Sequence, residues 1–584
     1  MSEKIFIGTA WPYANGPFHV GHIAGVYLPA DIFARYHRLK GNEVLMISGS
    51  DCNGTPITIR AEREGVAPSE VVRRYHSSFI RTFQALGIGF DLYTQTFTEN
   101  HHRVTKEFFS RLVENGYISK RVMIGSYSQK SKRFLPDRFV EGICPHCQFN
   151  RARGDQCDNC GRLLDPWELI EPHSSIDREP ISFQNTEHYF LELEKLSPLL
   201  SQWLNNSQHQ HWRPNTLQFA KNWLREGLKN RAITRDIDWG VTVPVTDTGF
   251  QNKRIYVWFD AVIGYYSATL EWCSYHAQQD YWKEWWRADT SAPARCYYFI
   301  GKDNIPFHAI FWPAILCGYG GLVLPYDIPA SEFLTLKGEQ MSTSRNWAVW
   351  LPDIEERYQP DLLRYYLSAN APESRDGNWS WHDFVRRVND ELIGHWGNYA
   401  NRMLSLAFRL FGDVPTAGEL TSVDKQLLAQ SQQCFAQAGA LIERVRLKAA
   451  LQEILGLAKR ANQYISEQQP WNLAKCDKQR TATVIYTGLQ LLNSLKLLLS
   501  PFLPHSCQHL HELLGYQNQI APLPQTRAVA GVDGDSRLIL TGDYRSDTKW
   551  EAQLIPSGQK LQKPIPLFGK LVESVAEVES EKIS

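Results

Sequence analysis

Apolar residues in the first hundred positions alternate between short continuous runs and segments where they recur three and four positions apart. The short runs, 4–8 and 43–48, have the composition of buried strands, and the spaced segments predict helices over 23–39, 68–86 and 101–115. Strands and helices that alternate in this way predict an α/β fold with a parallel sheet and helices on its faces. Ligands of such sheets bind at the carboxyl ends of the strands.

The pattern breaks at about residue 120 and returns after residue 223. Strand-like runs then follow at 232–240 and 255–265, and we expect 255–265 to be a buried, aromatic-rich strand. A further strand leads into a turn and a helix at 298–308. The break between the two strand-rich regions predicts an insertion within one sheet domain.

Beyond residue 367 the apolar spacing is helical, over 381–411, 421–468 and 481–514. Amphipathic helices in succession pack on one another, so an all-α helix bundle is expected here. The tail after residue 521 is rich in Gly, Asp, Ser and Pro.

These changes divide the chain into six segments. The expected order is the first half of a Rossmann-like α/β domain, an insertion, the second half of that domain, a loop-bearing connecting region, the helix bundle, and a tail that packs back. Their boundaries are 1–115, 116–229, 230–330, 331–385, 386–520 and 521–584.

Composition narrows the class of protein. The chain has 584 residues, of which 43% are apolar and 21% charged, which is ordinary for a globular protein. Its 62 basic and 62 acidic residues cancel, so any contact with nucleic acid must use local patches. We find no signal peptide and no membrane span, and seven of the eleven cysteines are scattered singly. These features predict a protein of the reducing cytoplasm.

A histidine-containing stretch joins the first strand to the first helix. It reads Thr9-Ala-Trp-Pro-Tyr-Ala-Asn-Gly-Pro-Phe-His-Val-Gly-His22. Free N–H groups and the helix dipole favour anions at such a junction. Gly21 lets a ligand approach, and His19 and His22 can donate to it. By themselves the histidines could equally belong to an ordinary surface turn. Asp51 ends the next strand and could hold an ammonium group or simply cap a turn.

Four cysteines form two C-x-x-C pairs, Cys144 with Cys147 and Cys157 with Cys160. Four thiolates at this spacing can surround one tetrahedral zinc ion and leave no open position, which indicates a structural zinc knuckle. Such a metal would hold together an insertion that has little core of its own.

The stretch Pro-Tyr-Ala-Asn-Gly followed by His-x-Gly-His resembles the first signature of class I aminoacyl-tRNA synthetases, in particular the methionyl-tRNA synthetases. The segment Leu336-Lys-Gly-Glu-Gln-Met-Ser-Thr-Ser-Arg-Asn-Trp347 resembles their second signature, K-M-S-K-S. The motifs occur in the family's order from Phe6 to Lys570, and the second signature is similar to that of the archaeal-type branch. The resemblance implies methionine activation by ATP, followed by transfer to tRNA(Met).

The resemblance also implies roles for individual residues. The methionine site would contain Trp11, Tyr13, Asp51, Trp258, Ala261, Tyr265 and His308. The ATP site would contain His19, Gly21, His22, Lys302, Asp303, Met341, Ser342, Thr343 and Ser344. The phosphates would face the catalytic groups His19, His22, Arg235, Lys337 and Arg345. The anticodon would be read by Asn398, Arg402 and Trp471.

The implied cofactors are one zinc ion per chain and magnesium that arrives with ATP. Some relatives carry a second zinc knuckle, but the corresponding segments here, 127–133 and 173–176, lack cysteines. The implied partners are tRNA(Met), ATP and L-methionine. We expect a monomer that does not bind a membrane.

Four residues depart from the family pattern: Cys52, Asn53, Val262 and Gln340. Gln340 is the largest departure, because relatives keep a lysine there. Lys337, three residues earlier, is a candidate replacement for the missing charge.

Two alternatives therefore stay open. One is a diverged paralogue that activates another amino acid or serves as an inhibitor-resistant duplicate. The other is a tRNA-binding protein that kept the fold and lost its chemistry. Retention of His19, His22 and Asp51 argues against the second, since binding alone would not need them.

Overall fold

The structure is a computed structural model. It describes residues 2–130, 132–157, 159–160, 162, 164–206, 209–343, 346–532 and 534–582.

A seven-stranded sheet forms the centre of the molecule. Five of its strands are parallel neighbours, as the alternating pattern predicts. In spatial order they are Ala330–Ser331, Arg295–Gly301, Lys4–Thr9, Glu43–Ser50 and Leu92–Gln95. The tail adds two antiparallel strands at the far edge, Ser536–Thr541 and then Gln525–Ala530.

Both faces of this sheet are buried. Successive residues of the first strand belong to opposite cores, Ile5 and Ile7 to one and Phe6 to the other, as the two-residue period of a strand requires. The helices and single turns that cover the sheet are Val20–His22, Ile23–Tyr27, Leu28–Leu39, Thr55–Glu64, Pro68–Leu86, Glu99–Glu114, Val257–Tyr275, Trp282–Trp286, Lys302–Asn304, Phe307–Phe311 and Trp312–Tyr319. The helix expected over 68–86 is confirmed residue for residue.

The expected strand at 255–265 is wrong. Only Arg254–Ile255 is a strand, and Val257–Tyr275 is a 19-residue helix. The helix is buried on nearly all sides, so its sequence lacks the polar stripe that would mark a helical period. Periodicity cannot separate a fully buried helix from a buried strand.

The insertion is built from short strands and two helices. Its strands are Ile118–Ser128, Arg133–Leu135, Val140–Ile143, Ala152–Arg153, Ile170–Ser174 and Ser182–Leu191. Its helices and single turns are Asp137–Phe139, Pro166–Glu168, Leu193–Leu204 and Pro214–Glu226. The strands Arg231–Ala232 and Thr234–Arg235 and the turn Thr248–Phe250 follow where the chain returns to the sheet domain. A small core around Val140, Ala152, Cys144 and Cys157 supports the cysteine cluster.

A three-stranded sheet carries the second signature. Leu334–Leu336 pairs with Glu339–Gln340 in a tight hairpin and lies parallel to Gly377–Trp379. The helix Pro360–Ala369 follows the signature and packs beneath the first helices.

The remaining chain is helical, as expected. Its helices are Trp381–Arg387, Val388–Gly397, Asn398–Leu410, Ser422–Glu443, Leu447–Gln468, Pro470–Leu473, Lys478–Leu499, Pro504–Leu513 and Ser574–Glu581. The single pattern at 421–468 is two helices, separated by a turn in which Val445 has φ of +51°. Lys478–Leu499 is long and apolar enough to cross a bilayer, but 89% of its apolar window is buried inside the bundle.

Candidate active site

His19 and His22 form a fixed pair at the first strand–helix junction. Nδ1 of His19 accepts the Gly21 N–H at 3.2 Å, and Nδ1 of His22 accepts the N–H of His19 at 3.2 Å. Both Nδ1 atoms therefore act as acceptors, and each ring carries its proton on Nε2. Burial lowers the pKa of both histidines, that of His22 to about 4, so both rings are neutral donors near pH 7.

The arrangement of His19 and His22 requires a glycine at position 21. A Cβ at this position would lie 2.9 Å from Nδ1 of His19. A side chain would therefore displace the imidazole as well as obstruct an approaching ligand.

Backbone hydrogen bonds connect the segment of the first signature to the segment of the second. The Val20 N–H donates to the Val349 carbonyl at 3.0 Å, and the Leu351 N–H donates to the Phe18 carbonyl at 2.9 Å. A Cβ on Gly16 would lie 2.4 Å from Cγ2 of Thr343, so the loops touch. Segments more than 300 residues apart thus form one structure.

A cavity of about 470 Å³ lies between the two segments. Most of the expected ATP and methionine residues line it. They are Trp11, Tyr13, His19, Gly21, His22, Trp258, Asp303, Met341, Ser342 and Thr343. Gln340, Asn15 and Glu332 also line it.

Aromatic rings form one end of this cavity. Trp258 stacks on Phe307 with ring centroids 3.8 Å apart, and Tyr13 meets Trp258 edge-on at 5.8 Å. Trp11 packs so closely on the chain that a Cβ on Gly49 would lie 2.2 Å from it. Its Nε1 is buried without a hydrogen-bond partner among the described residues.

Four expected methionine residues lie behind this aromatic wall: Asp51, Ala261, Tyr265 and His308. None is among the residues that line the cavity. Burial and the neighbouring carboxylate of Asp260 raise the pKa of Asp51 well above its usual value.

The departures at 52 and 53 are both buried, and the side chain of Asn53 has a hydrogen-bond partner. The Asn53 side-chain amide donates to Oδ2 of Asp260 at 2.8 Å, and the Cys52 N–H donates to the Thr96 hydroxyl at 2.8 Å. Within the described chain, Oδ1 of Asn53 and Oδ1 of Asp260 are buried acceptors without a donor. Acceptors in this state suit a cationic ligand.

Three of the expected cationic site residues lie outside the cavity wall. Arg235 forms an ion pair with Asp137 of the insertion at 3.2 Å and lies 4.1 Å above the Tyr256 ring. Lys302 bonds to Glu332 at 2.8 Å and to Asp376 at 2.9 Å. Lys337 is exposed, 5.7 Å above the Trp347 ring. Ser344 and Arg345 lie outside the described residues.

The four expected cysteines converge. Their sulfur atoms all lie within 4.8 Å of one another. The Asn159 side chain donates to Sγ of Cys147 at 3.5 Å and lowers the pKa of that thiol to about 6. Four convergent thiols in a small buried core fit a tetrahedral ion of zinc type.

The expected anticodon residues lie together in the helix bundle. The Arg402 guanidinium is 5.5 Å above the Trp471 ring, and Nδ2 of Asn398 donates to Oδ1 of Asn462 at 3.1 Å. Arg402 and Trp471 are half-buried, and Asn398 is exposed.

One cationic cavity residue was missed by the sequence argument. Arg153, on a short strand of the insertion, reaches the cavity wall. No motif marks it, because only folding brings the insertion onto the active site.

The fold, the paired signature segments and the helix bundle define a class I aminoacyl-tRNA synthetase. A family model described as "tRNA synthetases class I (M)" matches residues 5–404, and one for the anticodon binding domain of methionyl tRNA ligase matches 414–536. The chain belongs to the methionine–tRNA ligase family, and it is an enzyme that activates methionine with ATP and transfers it to tRNA.

Individual relatives agree over the full length. The chain is 61% identical to the methionine–tRNA ligase of Roseiflexus castenholzii over 98% of both chains. It is 47% identical to that of Chloroflexus aggregans over 99% of this chain and 98% of the relative. The structure of Mycobacterium tuberculosis methionyl-tRNA synthetase bound by methionyl-adenylate is similar, with a TM-score of 0.76 and 26% identity over 97% of this chain and 100% of that one.

Proposed function

We propose that methionyl adenylate forms in the cavity between the two signature segments. A methionine carboxylate oxygen attacks the α-phosphorus of ATP, the bond from this phosphorus to its bridging oxygen breaks, and pyrophosphate leaves with the electron pair. No proton moves, so catalysis rests on positioning and on stabilising negative charge. The observation that carries this proposal is the pair of neutral Nε2–H donors at His19 and His22 on the cavity wall.

Asp51 is proposed to hold the methionine ammonium group. It lies directly beneath the cavity wall, because its N–H donates to the Pro12 carbonyl at 2.8 Å and its carbonyl accepts the Ala14 N–H at 3.0 Å. The unpaired acceptors of Asn53 and Asp260 beside it would gain donors from an ammonium group. Because Asp51 does not line the cavity, the cavity wall must shift when methionine binds.

The methionine side chain is proposed to lie among the aromatic rings of Trp11, Tyr13 and Trp258, with Ala261, Tyr265 and His308 behind them. Sulfur–aromatic contacts favour a thioether in such surroundings. The unpaired Nε1 of Trp11 supplies one further donor for a bound ligand.

The phosphates are proposed to bind along Met341, Ser342 and Thr343, with magnesium carried in by ATP. Asp303 and Glu332 are the carboxylates of the wall, and carboxylates suit that ion. Lys302 stands at the rim and neutralises Glu332. Arg235 is proposed to act through the insertion, by its ion pair with Asp137.

The cysteine cluster is proposed to hold one structural zinc ion per chain. Replacing Cys157 with serine should lower the zinc content from one ion towards none, as measured by metal analysis. Cys476→Ser, at an exposed cysteine in the helical region, should keep one ion per chain. Two ions in the unaltered protein would contradict the proposal.

Asn398, Arg402 and Trp471 are proposed to read the anticodon of tRNA(Met). An indole ring offers an unstacked base a platform, and Asn and Arg can read base edges. We propose further that the protein works as a cytoplasmic monomer and does not bind a membrane. The archaeal-type assignment stays a prediction.

Amino-acid-dependent exchange of pyrophosphate into ATP tests this function. Exchange should depend on methionine, and His22→Ala should abolish most of it. A diverged paralogue remains the competing function, because Cys52, Asn53, Val262 and Gln340 depart from the family pattern. It would show greater exchange with another amino acid than with methionine.

A further inference from the structure

The charge of the active-site cavity does not match its substrates. ATP and the methionine carboxylate are anions, yet the wall contains the carboxylates of Asp303 and Glu332, of which Lys302 neutralises that of Glu332. His19 and His22 are neutral, and Gln340 stands where the family has a lysine. Among the described residues of the wall, Arg153 is the one lysine or arginine.

We propose that Arg153 is a catalytic residue that binds the departing pyrophosphate. This inference rests on the proposed function of the cavity. When the carboxylate–phosphorus bond forms and the bridging bond breaks, the electron pair passes to pyrophosphate. The planar guanidinium can donate two parallel hydrogen bonds to phosphate oxygens and places a full positive charge beside them. No proton transfer or further reactant is involved.

The backbone fixes the position of Arg153. Its strand pairs with Val140–Ile143, with Arg153 opposite Glu141. Ala152 is fully buried, so the alternation of the strand directs Arg153 to the other face. The next residue, Gly154, has its N–H bonded to the Val140 carbonyl at 3.0 Å. A Cβ there would lie 2.5 Å from the Asp137 carbonyl oxygen, so the turn is tightly packed.

The insertion is also held against the catalytic domain. Asp137 pairs with Arg235 at 3.2 Å, and Ile59 of the helix Thr55–Glu64 packs on the insertion core. Arg153 lies four residues before Cys157. The cysteine cluster therefore supports the strand that presents this guanidinium to the cavity, which gives the insertion a direct part in activation.

Lys337 is the competing source of charge, since it lies near Gln340 in sequence. In the structure it is exposed above Trp347 at the hairpin turn and is not part of the cavity wall. If Arg153 supplies the charge, its substitution should slow adenylate formation more than substitution of Lys337 does. If Lys337 supplies the charge, the reverse should hold.

The test compares Arg153→Gln, Arg153→Lys and Lys337→Gln, with Arg151→Gln as the matched control. Arg151 is exposed, two residues earlier in the insertion. Single-turnover formation of methionyl adenylate at saturating ATP and methionine should slow about 100-fold in Arg153→Gln, the size typical for loss of one donor to a developing anion. Arg153→Lys should recover part of the rate. Arg151→Gln should stay within about twofold of the unaltered protein, and Lys337→Gln should slow the step much less than Arg153→Gln does.

Four further measurements separate catalysis from structure. Arg153→Gln should keep one zinc ion per chain, bind methionine with unchanged affinity, and transfer methionine from preformed adenylate to tRNA at the usual rate. It should bind inorganic pyrophosphate more weakly. Zinc loss in this variant, an unchanged adenylation rate, or failure of Arg153→Lys to recover any rate would overturn the proposal. If the unaltered protein formed no methionyl adenylate, the proposed function itself would be refuted, before any variant was compared.

Discussion

The Tyr265 hydroxyl lies 2.8 Å from Nε2 of His308, and the protons between them are assigned by their surroundings. Nδ1 of His308 lies 3.0 Å from the Asn304 carbonyl oxygen, which can only accept, so Nδ1 carries a proton. Burial lowers the pKa of His308 to about 4, so the ring is neutral near pH 7. Nε2 therefore accepts from the Tyr265 hydroxyl beneath the proposed methionine site, and the same hydroxyl lies 3.1 Å from the Thr9 carbonyl oxygen.

Tyr265→Phe should show how much this hydrogen bond contributes to the stability of the folded protein. The substitution leaves Nε2 of His308 buried without a donor, which costs about 1–3 kcal/mol of unfolding free energy. Urea unfolding followed by circular dichroism measures the loss. In a His308→Phe background the same change should cost less, because the His308 acceptor is gone and the hydroxyl keeps only its contact with the Thr9 carbonyl oxygen at 3.1 Å among the described residues. Equal losses in both backgrounds would show that the hydroxyl does not act through His308.

A buried ion network around Asp31 should make the stability of the folded protein depend on pH in the acid range. Asp31 accepts from Arg35 at 3.0 Å and from Arg364 at 2.7 Å, and these guanidinium groups and other donors outweigh burial to lower the pKa of Asp31. The stabilisation that ionised Asp31 provides is present above the pKa of an aspartate in the unfolded chain, near 3.9. It is lost as pH falls through the lower pKa that Asp31 has in the folded protein. Asp31→Asn should cost about 3–5 kcal/mol at pH 7, because two buried cations lose their counter-ion.

An exposed pair provides the control for that experiment. Asp535 lies 2.8 Å from Arg73, and both side chains are more than 60% exposed. Asp535→Asn should change the unfolding free energy by less than about 1 kcal/mol. The interpretation of Asp31 would be wrong if both variants lost the same amount in denaturant titrations.

Lys496 should make stability rise with pH. Its ammonium is buried against Asn493, His511 and the Tyr516 ring, and burial lowers its pKa to about 7. The unfolded chain binds the proton up to about pH 10.4, so it holds more protons than the folded chain above pH 7.

Between pH 7 and 8.5 this lysine should add up to about 1.4 kcal/mol of stability per pH unit. Lys496→Met removes the titrating group and keeps an unbranched side chain, so the rise should be smaller in the variant. The two proteins can be compared by guanidinium unfolding at four pH values. Parallel pH profiles would mean that Lys496 stays charged in the folded protein.

Trp471→Ala should separate the two half-reactions. Losing one stacking platform for a base costs about 1–3 kcal/mol, so charging of tRNA should fall roughly tenfold to a hundredfold. Methionine-dependent pyrophosphate exchange should hardly change, because Trp471 is not part of the cavity wall. Phe408→Ala, an exposed aromatic residue on another face of the Arg402 helix, is the control. An equal fall in both half-reactions would make Trp471 a structural residue.

The sequence by itself determined the elements whose physical signals are local. The helix over 68–86 has one apolar face, which gives it a helical period in the sequence. The four cysteines have the spacing of a tetrahedral metal site. Both features were therefore predictable. The paired histidines, with Gly21 between them, identified the strand–helix junction where anions bind. The family resemblance then named the reaction, because its motifs occur in order along the whole chain.

Only the tertiary structure decided which residues are buried and which charged residues reach the cavity. The helix Val257–Tyr275 has no polar face, so periodicity gave the wrong element. Asp51 and Tyr265 are buried outside the cavity wall, and Arg153 reaches the cavity from the insertion. These placements arise from contacts between residues far apart in sequence. A local pattern of hydrophobic and polar residues contains no information about such contacts, because they depend on how complete elements pack.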